Sequence, residues 1–206
     1  IMDGAAEPTG QLVPKGFFGY DANIAVPGYD PEGSKKLLAE AGYPNGFRLT
    51  MQIPQNRYLN DIATGEAIGQ MLSRVGIQTQ VEAFPIVVLL TRASKFEWSM
   101  FMVGFGIVTG EPTSAMRYLL ATQDADKGLG MGNRGAYSNA KFDALLLKAE
   151  GTLDDAKRAD LLKEATRYAV VDDLAVIPLY HQIHIWAMRK DLHNIPRMDE
   201  YTFLND

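Results

Sequence analysis

Between Phe47 and Phe84 the hydrophobic period changes twice, and this constrains the fold more than any other feature of the chain. Phe47-Arg-Leu-Thr-Met-Gln-Ile53 alternates apolar and polar residues, the period of a half-buried strand. From Tyr58 to Val75 the apolar residues adopt helical spacing, at Leu59, Ile62, Ile68, Met71, Leu72 and Val75. Gly76 ends that stripe, and Ile77–Phe84 reads as a second strand. Strand, helix and strand in this order predict a parallel βαβ unit with a right-handed crossover. The expected class is α/β, with a mixed, largely parallel sheet flanked by helices.

The flanking segments extend this pattern. Pro85 starts a helix that runs to Ala93, and Trp98–Phe105 is apolar on nearly both faces, as in a central parallel strand covered on each side. Pro112 opens a helix over Glu111–Leu120, and the glycine-rich Thr122–Tyr137 reads as a loop. Ser138 or Asn139 caps a helix with Phe142, Leu145, Leu146 and Ala149 on one face. Thr152-Leu-Asp-Asp155 resembles a capping box for a helix that runs to about Val170, and two strand-like runs follow, Leu174–Tyr180 and Ile183–Met188. Residues 1–28 read as an irregular lead-in, 29–173 as the main body, and 174–206 as return strands and a tail.

Composition narrows the function. With 47% hydrophobic residues in 206, the chain can bury a sizeable core. Its net charge is −5, and no basic block or stripe is present, which argues against a nucleic-acid surface. The absence of cysteine removes thiol catalysis, disulfides and thiolate metal sites, and suits an oxidising compartment. The longest apolar run, around Phe84–Leu90, contains Pro85 and is about a third of a membrane span. Ile1 is no initiator methionine and no leader pattern follows it, so the chain is expected to be a piece cut from within a longer protein.

Tyr29-Asp-Pro-Glu-Gly-Ser-Lys-Lys-Leu-Leu-Ala-Glu-Ala-Gly-Tyr-Pro44 is a helix with both ends written in. Asp30 is the N-cap and Pro31 the first helical residue; Gly42 suits the left-handed stop, and Pro44 blocks continuation. These words resemble a signature of the family 5 solute-binding proteins of bacterial ABC importers for oligopeptides, dipeptides and nickel. Further segments are similar to that family in the same order. They are Arg57-Tyr-Leu-Asn-Asp61, Val75-Gly-Ile77, Phe105–Ser114, Asn133–Asn139 with Phe142-Asp-Ala-Leu145, and Val176–His181 followed by Trp186–Lys190.

The resemblance implies one lobe, the C-terminal one, of a two-lobed periplasmic-binding-protein-like fold. The tail would return toward a missing N-terminal lobe. It also implies capture of a small solute, peptide favoured, between the lobes, and delivery to an ABC permease in the membrane. Such a protein would be periplasmic or otherwise extracytoplasmic, associated with the membrane through its transporter, and would be no enzyme and need no cofactor.

Ligands of open α/β sheets gather at the carboxyl ends of the strands, which points to Phe105, Gly106, Val108, Thr109, Gly110 and Glu111. Gly106 and Gly110 either admit a ligand close to the backbone or simply shape a turn. Peptide-binding relatives place here an Asp that pairs with a peptide amine; this chain has no carboxylate before Glu111. Glu111 either substitutes for it or serves the following helix dipole. Arg92 and Arg134 are candidate clamps for a carboxylate, with Arg92 alternatively a helix-end charge. Arg57 and Tyr58 follow the first strand and either line the same edge or brace the next helix. His181 and His184 lie three apart on a strand-like run and point to opposite faces unless the chain turns, so no metal site is expected. No catalytic constellation is visible. Two other readings stand beside the first: an α/β enzyme domain using Glu111 and Arg134, and a binding protein for an opine, a sugar or a nickel complex. An interaction module that meets a partner through a sheet edge is a third.

Overall fold

The structure, a computed structural model, describes residues 1–197, 199 and 201. In chain order its elements are β1 (Ala6–Pro8), α1 (Pro31–Glu40), β2 (Phe47–Gln55), α2 (Asp61–Arg74), β3 (Ile77–Pro85), α3 (Ile86–Ser94), β4 (Met100–Phe101), α4 (Thr113–Ala115), α5 (Ala140–Glu150), α6 (Asp155–Arg167) and β5 (Tyr180–Gln182). A wider π-helical turn extends α4 through Met116–Leu120, and another extends α6 through Tyr168–Asp172. The chain divides into two compact units. The first holds Ile1–Asp3 and Gly28–Gly104; the second holds Gly4–Pro27 and the residues from Phe105 onward.

The first unit contains the expected βαβ. β2 and β3 run parallel in register from Phe47↔Ile77 to Gln55↔Pro85, with α2 between them in sequence. The alternation in β2 aims Met51 and Ile53 into a core completed by Met102 and flanked by Leu49, Ile68, Val81 and Met100. α1 carries the expected caps. The Asp30 carboxylate accepts the Gly33 N–H at 2.8 Å. At the other end Gly42, at φ +89°, lets its own N–H reach the Ala39 carbonyl and the Tyr43 N–H reach the Leu38 carbonyl. That paired pattern satisfies the last carbonyls of the helix. α1 buries no side chain.

The second unit is built on α5, α6 and the two π-helical turns. Phe142, Leu146 and Ala149 pack with Leu162, Ala165, Ala169 and Val170 and with Met116 and Leu120. Asn139 caps α5, accepting from the Lys141 and Phe142 N–H groups. α6 is capped by Asp154, which accepts from the Lys157 N–H. The capping-box reading at Thr152 is corrected accordingly: the Thr152 hydroxyl instead donates to the Lys148 carbonyl at 2.7 Å and closes α5.

The strand expectations need two further corrections. The Trp98–Phe105 run is no central strand: the sheet order is β3-β2-β4, so β2 lies in the middle and the run supplies only the short edge strand β4. Its apolar character is used in side-chain packing. Trp98 meets Phe101 edge-on at 4.9 Å, and Met100 and Met102 face the small core. In the return segment only Tyr180–Gln182 is a strand; Leu174–Leu179 and Ile183–Met188 lie outside strands. β5 pairs antiparallel with β1, which lies inside the supposedly irregular lead-in. An extended segment becomes a strand only where another edge receives its N–H and C=O groups. β1 offers an edge three residues long.

Candidate functional site

In the first unit, Arg57 and Tyr58 stand just beyond the carboxyl end of β2. They are held there by Asp61, the buried first residue of α2, whose carboxylate accepts the N–H groups of Arg57 (2.9 Å), Tyr58 (3.2 Å) and Ile62 (2.9 Å). Burial raises the Asp61 pKa as the largest single influence, but these backbone donors together outweigh it and hold the carboxyl below its ordinary value. The Tyr58 hydroxyl accepts the Gly104 N–H at 2.8 Å and lies 3.1 Å from the Gly104 carbonyl, to which it donates, so it clamps the chain where it leaves the sheet. The Arg57 guanidinium rests over the Tyr58 ring, 5.1 Å from its centroid. Arg92, in the last turn of α3, lies over the Phe84 ring at 4.9 Å, one residue from the end of β3. Stacking on a ring orients a guanidinium while leaving its in-plane N–H donors unused. The buried Arg92 Nε has no hydrogen-bond partner among the described residues. Two open grooves in this unit, one lined by residues of α2 and β3 and the other along Arg48–Thr50, contain none of the candidate residues.

The second unit holds the other candidates, in two clusters. In one, Gly110, at φ +73°, presents its carbonyl to the Phe18 N–H at 2.9 Å. Beside it the Glu111 carboxylate meets the Arg158 guanidinium of α6 at 2.6 Å, and Arg158 lies over the Phe18 ring at 5.3 Å. The Thr109 hydroxyl turns to the Glu111 carbonyl at 3.3 Å. Gly106 and Val108 are exposed in the intervening loop.

The other cluster brings Phe105 and Arg134 to a common support. Phe105 stacks on Tyr118 with centroids 5.7 Å apart and planes 25° apart. Tyr118 lies against Gly132, so closely that a Cβ there would fall 2.1 Å from the ring. The Gly132 carbonyl accepts the Arg134 N–H at 2.9 Å and faces the Arg134 Nη1 at 3.4 Å. The loop carrying these residues lacks regular structure and is fixed by Asn133, 1% exposed. Its Nδ2 donates to the Ala121 and Tyr137 carbonyls at 2.9 and 2.7 Å, and its Oδ1 accepts the Tyr137 N–H at 3.1 Å.

Sequence reasoning missed Tyr118, Asn133, Phe18 and Arg158. Tyr118 had a weak signal, an aromatic residue between the buried Met116 and Leu120 and off their face. Asn133 had only its place at the head of the family-like segment Asn133–Asn139, and Arg158 pairs with a residue 47 positions away. His181 and His184 occupy separate environments. His181 is in β5, opposite Glu7, with its Nε2 buried and unpartnered among the described residues, while His184 meets Trp186 edge-on. Among the described residues no group of three or more His, Asp or Glu could hold a metal ion, and no helix is long and apolar enough to cross a membrane.

Known proteins resemble this chain over most of its length. Heme-binding protein A of Haemophilus influenzae is 30% identical over 186 residues, 89% of this chain and 33% of the relative. The glutathione-binding protein GsiB of Shigella flexneri is 33% identical over 200 residues, 91% of this chain and 37% of the relative. Among solved structures, the periplasmic binding protein DppA from Helicobacter pylori, in complex with the peptide STSA, superimposes with a TM-score of 0.78 at 27% identity, covering 88% of this chain and 35% of that one. The chain thus spans about a third of the length of the curated relatives it matches. The family model for bacterial extracellular solute-binding proteins, family 5 Middle, matches residues 1–127, more than half of the chain. The chain belongs to the family 5 bacterial extracellular solute-binding proteins.

Proposed function

We propose that these residues form the C-terminal lobe of the substrate-binding component of an ABC importer. The protein captures a peptide or similar small solute between two lobes and hands it to a membrane permease. The family match across residues 1–127, which takes in the sheet's carboxyl edge and the Phe105–Glu111 loop, carries this reading. A peptide is favoured because glutathione and STSA, named for two of the similar proteins, are both peptides.

The chemistry fits a zwitterionic solute. Arg57 and Arg92 are each oriented by an aromatic ring, which suits a ligand carboxylate. Phe105, Gly106, Val108, Thr109 and Gly110 supply apolar contact and accessible backbone, and Arg134 adds a third cationic position. Glu111, engaged by Arg158, acts on a ligand amine only in exchange for that partner. The protein works outside the cytoplasm, in the periplasm or otherwise extracytoplasmic and associated with the membrane through its transporter, by binding and without catalysis.

Thermal-shift screening of the full-length protein tests this reading. Binding stabilises the native state by mass action, about 2.7 kcal/mol at a hundredfold excess over Kd, or a rise of several degrees at about 2–4 °C per kcal/mol. Glutathione, Ser-Thr-Ser-Ala, a dipeptide series, hemin and an opine form the panel. A rise with one or more peptides is expected. No rise with any of them, or turnover of a peptide, contradicts the proposal.

A further inference from the structure

β4 pairs with β2 over only two residues, and Pro54 accounts for where the pairing stops. Phe101 lies beside Gln52, and the Met102 N–H donates to the Gln52 carbonyl at 2.9 Å. In a parallel ladder the next bond runs from the residue two further along β2 to the Met102 carbonyl. That residue is Pro54, which has no N–H to give. Gly104, two residues beyond Met102, is next in line to meet β2, and there a side chain takes the place of a strand. The Tyr58 hydroxyl accepts the Gly104 N–H at 2.8 Å and donates to the Gly104 carbonyl at 3.1 Å. The fit requires glycine: a Cβ at position 104 would fall 2.9 Å from Tyr58 Cε1 and 3.0 Å from Cζ. The single hydroxyl proton is spent on the Gly104 carbonyl, so Tyr58 keeps no donor for a solute. Its main chain is committed as well, since Asp61 accepts the N–H groups of both Arg57 and Tyr58.

We propose that Tyr58 is a positioning residue for solute binding: its hydroxyl replaces the strand pairing that Pro54 ends, and so fixes the point from which the Phe105–Glu111 segment departs. Tyr58 itself touches no solute. Gly104 is its counterpart, small so that the ring can lie against the main chain. Asp61 holds Arg57 and Tyr58 together, so one connected group of bonds sets both the cationic end of β2 and the start of that segment. This inference rests on the solute-binding reading, and its test separates the two.

Affinity for each member of the thermal-shift panel that binds, glutathione and Ser-Thr-Ser-Ala first, is measured by calorimetry on the full-length protein. The proteins compared are wild type, Tyr58→Phe, Gly104→Ala and the double variant. Tyr58→Phe keeps the ring beneath Arg57 and removes only the hydroxyl. It is expected to weaken binding by roughly three- to tenfold, the worth of one or two hydrogen bonds. Gly104→Ala, which pushes the ring off the main chain, weakens it in the same way. Both act through one contact, so the double variant binds no more weakly than the weaker single variant. Affinity unchanged in Tyr58→Phe, whatever its effect on melting temperature, overturns the positioning role and makes the contact one of stability alone. Losses that add in full in the double variant overturn it too, because the two residues then act separately. Wild type that binds no member of the panel overturns the solute-binding reading and the positioning role with it.

Discussion

Glu111 and Arg158 face each other at 2.6 Å across 47 residues of sequence, with only 18% and 23% of their side chains exposed. A carboxylate in the loop that precedes α4 is thus tied to α6. Removing one member leaves a largely covered charge without its counterion, which costs about 1–3 kcal/mol. Glu111→Gln and Arg158→Met each lower the urea midpoint of unfolding, and the double variant loses less than the sum. A double-mutant coupling near zero would show that the pair contributes nothing.

The cap of α1 is expected to matter locally and nowhere else. Asp30→Ala removes the acceptor for the Gly33 N–H and costs about 1 kcal/mol of helix stability. Since α1 buries no side chain, hydrogen exchange quickens in Pro31–Glu40 while the sheet and solute affinity are unchanged. Loss of protection in β2 or β3 would contradict this.

These first cases show what was legible in the sequence. Signals carried by neighbours in the chain were clear: the period changes from Phe47 to Phe84, the caps Asp30 and Asn139, and the stop at Gly42. Features that depend on a distant partner were not. Ala6–Pro8 became a strand because Tyr180–Gln182 lies alongside, which no local pattern announces. The Trp98–Phe105 run carries the pattern of a central strand because packing among Trp98, Phe101 and the methionines mimics burial on two faces. At the candidate site, the loop residues were visible as glycines and charges, whereas Tyr118, Asn133 and Arg158 acquire meaning only through contacts made in space.

Gly65 marks where α2 descends onto the sheet. A Cβ there would lie 2.6 Å from Ile53 Cδ1, in the smaller core. Alanine is the better helix former by up to about 1 kcal/mol, yet overpacking costs about 1–3 kcal/mol, so packing wins. Gly65→Ala is expected to lower the melting temperature; a higher one would mean that Ile53 moves aside at little cost.

Two groups shape successive steps on the acid side of the pH profile. His181 is held below its ordinary value of 6.5, chiefly by burial, against the backbone bond at Val13 and the charge of Glu7. Below 6.5 the unfolded chain takes up the proton more readily, so this contribution is full above 6.5 and declines as pH falls toward the folded pKa. His181→Gln flattens that slope in urea unfolding followed by circular dichroism. Asp61, also lowered, stabilises the fold above its ordinary value of 3.8 and loses that effect as pH falls through the folded value. Asp61→Asn removes this acid limb. A wild-type stability that rises between pH 6.5 and 5.5 would contradict the assignment to His181.

Mass spectrometry of the native full-length protein, purified without added solute, tests the central claim most directly. A binding lobe that encloses its ligand carries part of it through purification, and the account predicts a bound species with the mass of a short peptide. That species should be released on unfolding and lost when Arg92 and Phe105 are replaced together by alanine. A native protein that carries no small molecule, and takes up none of the peptide panel at saturating concentration, would contradict it.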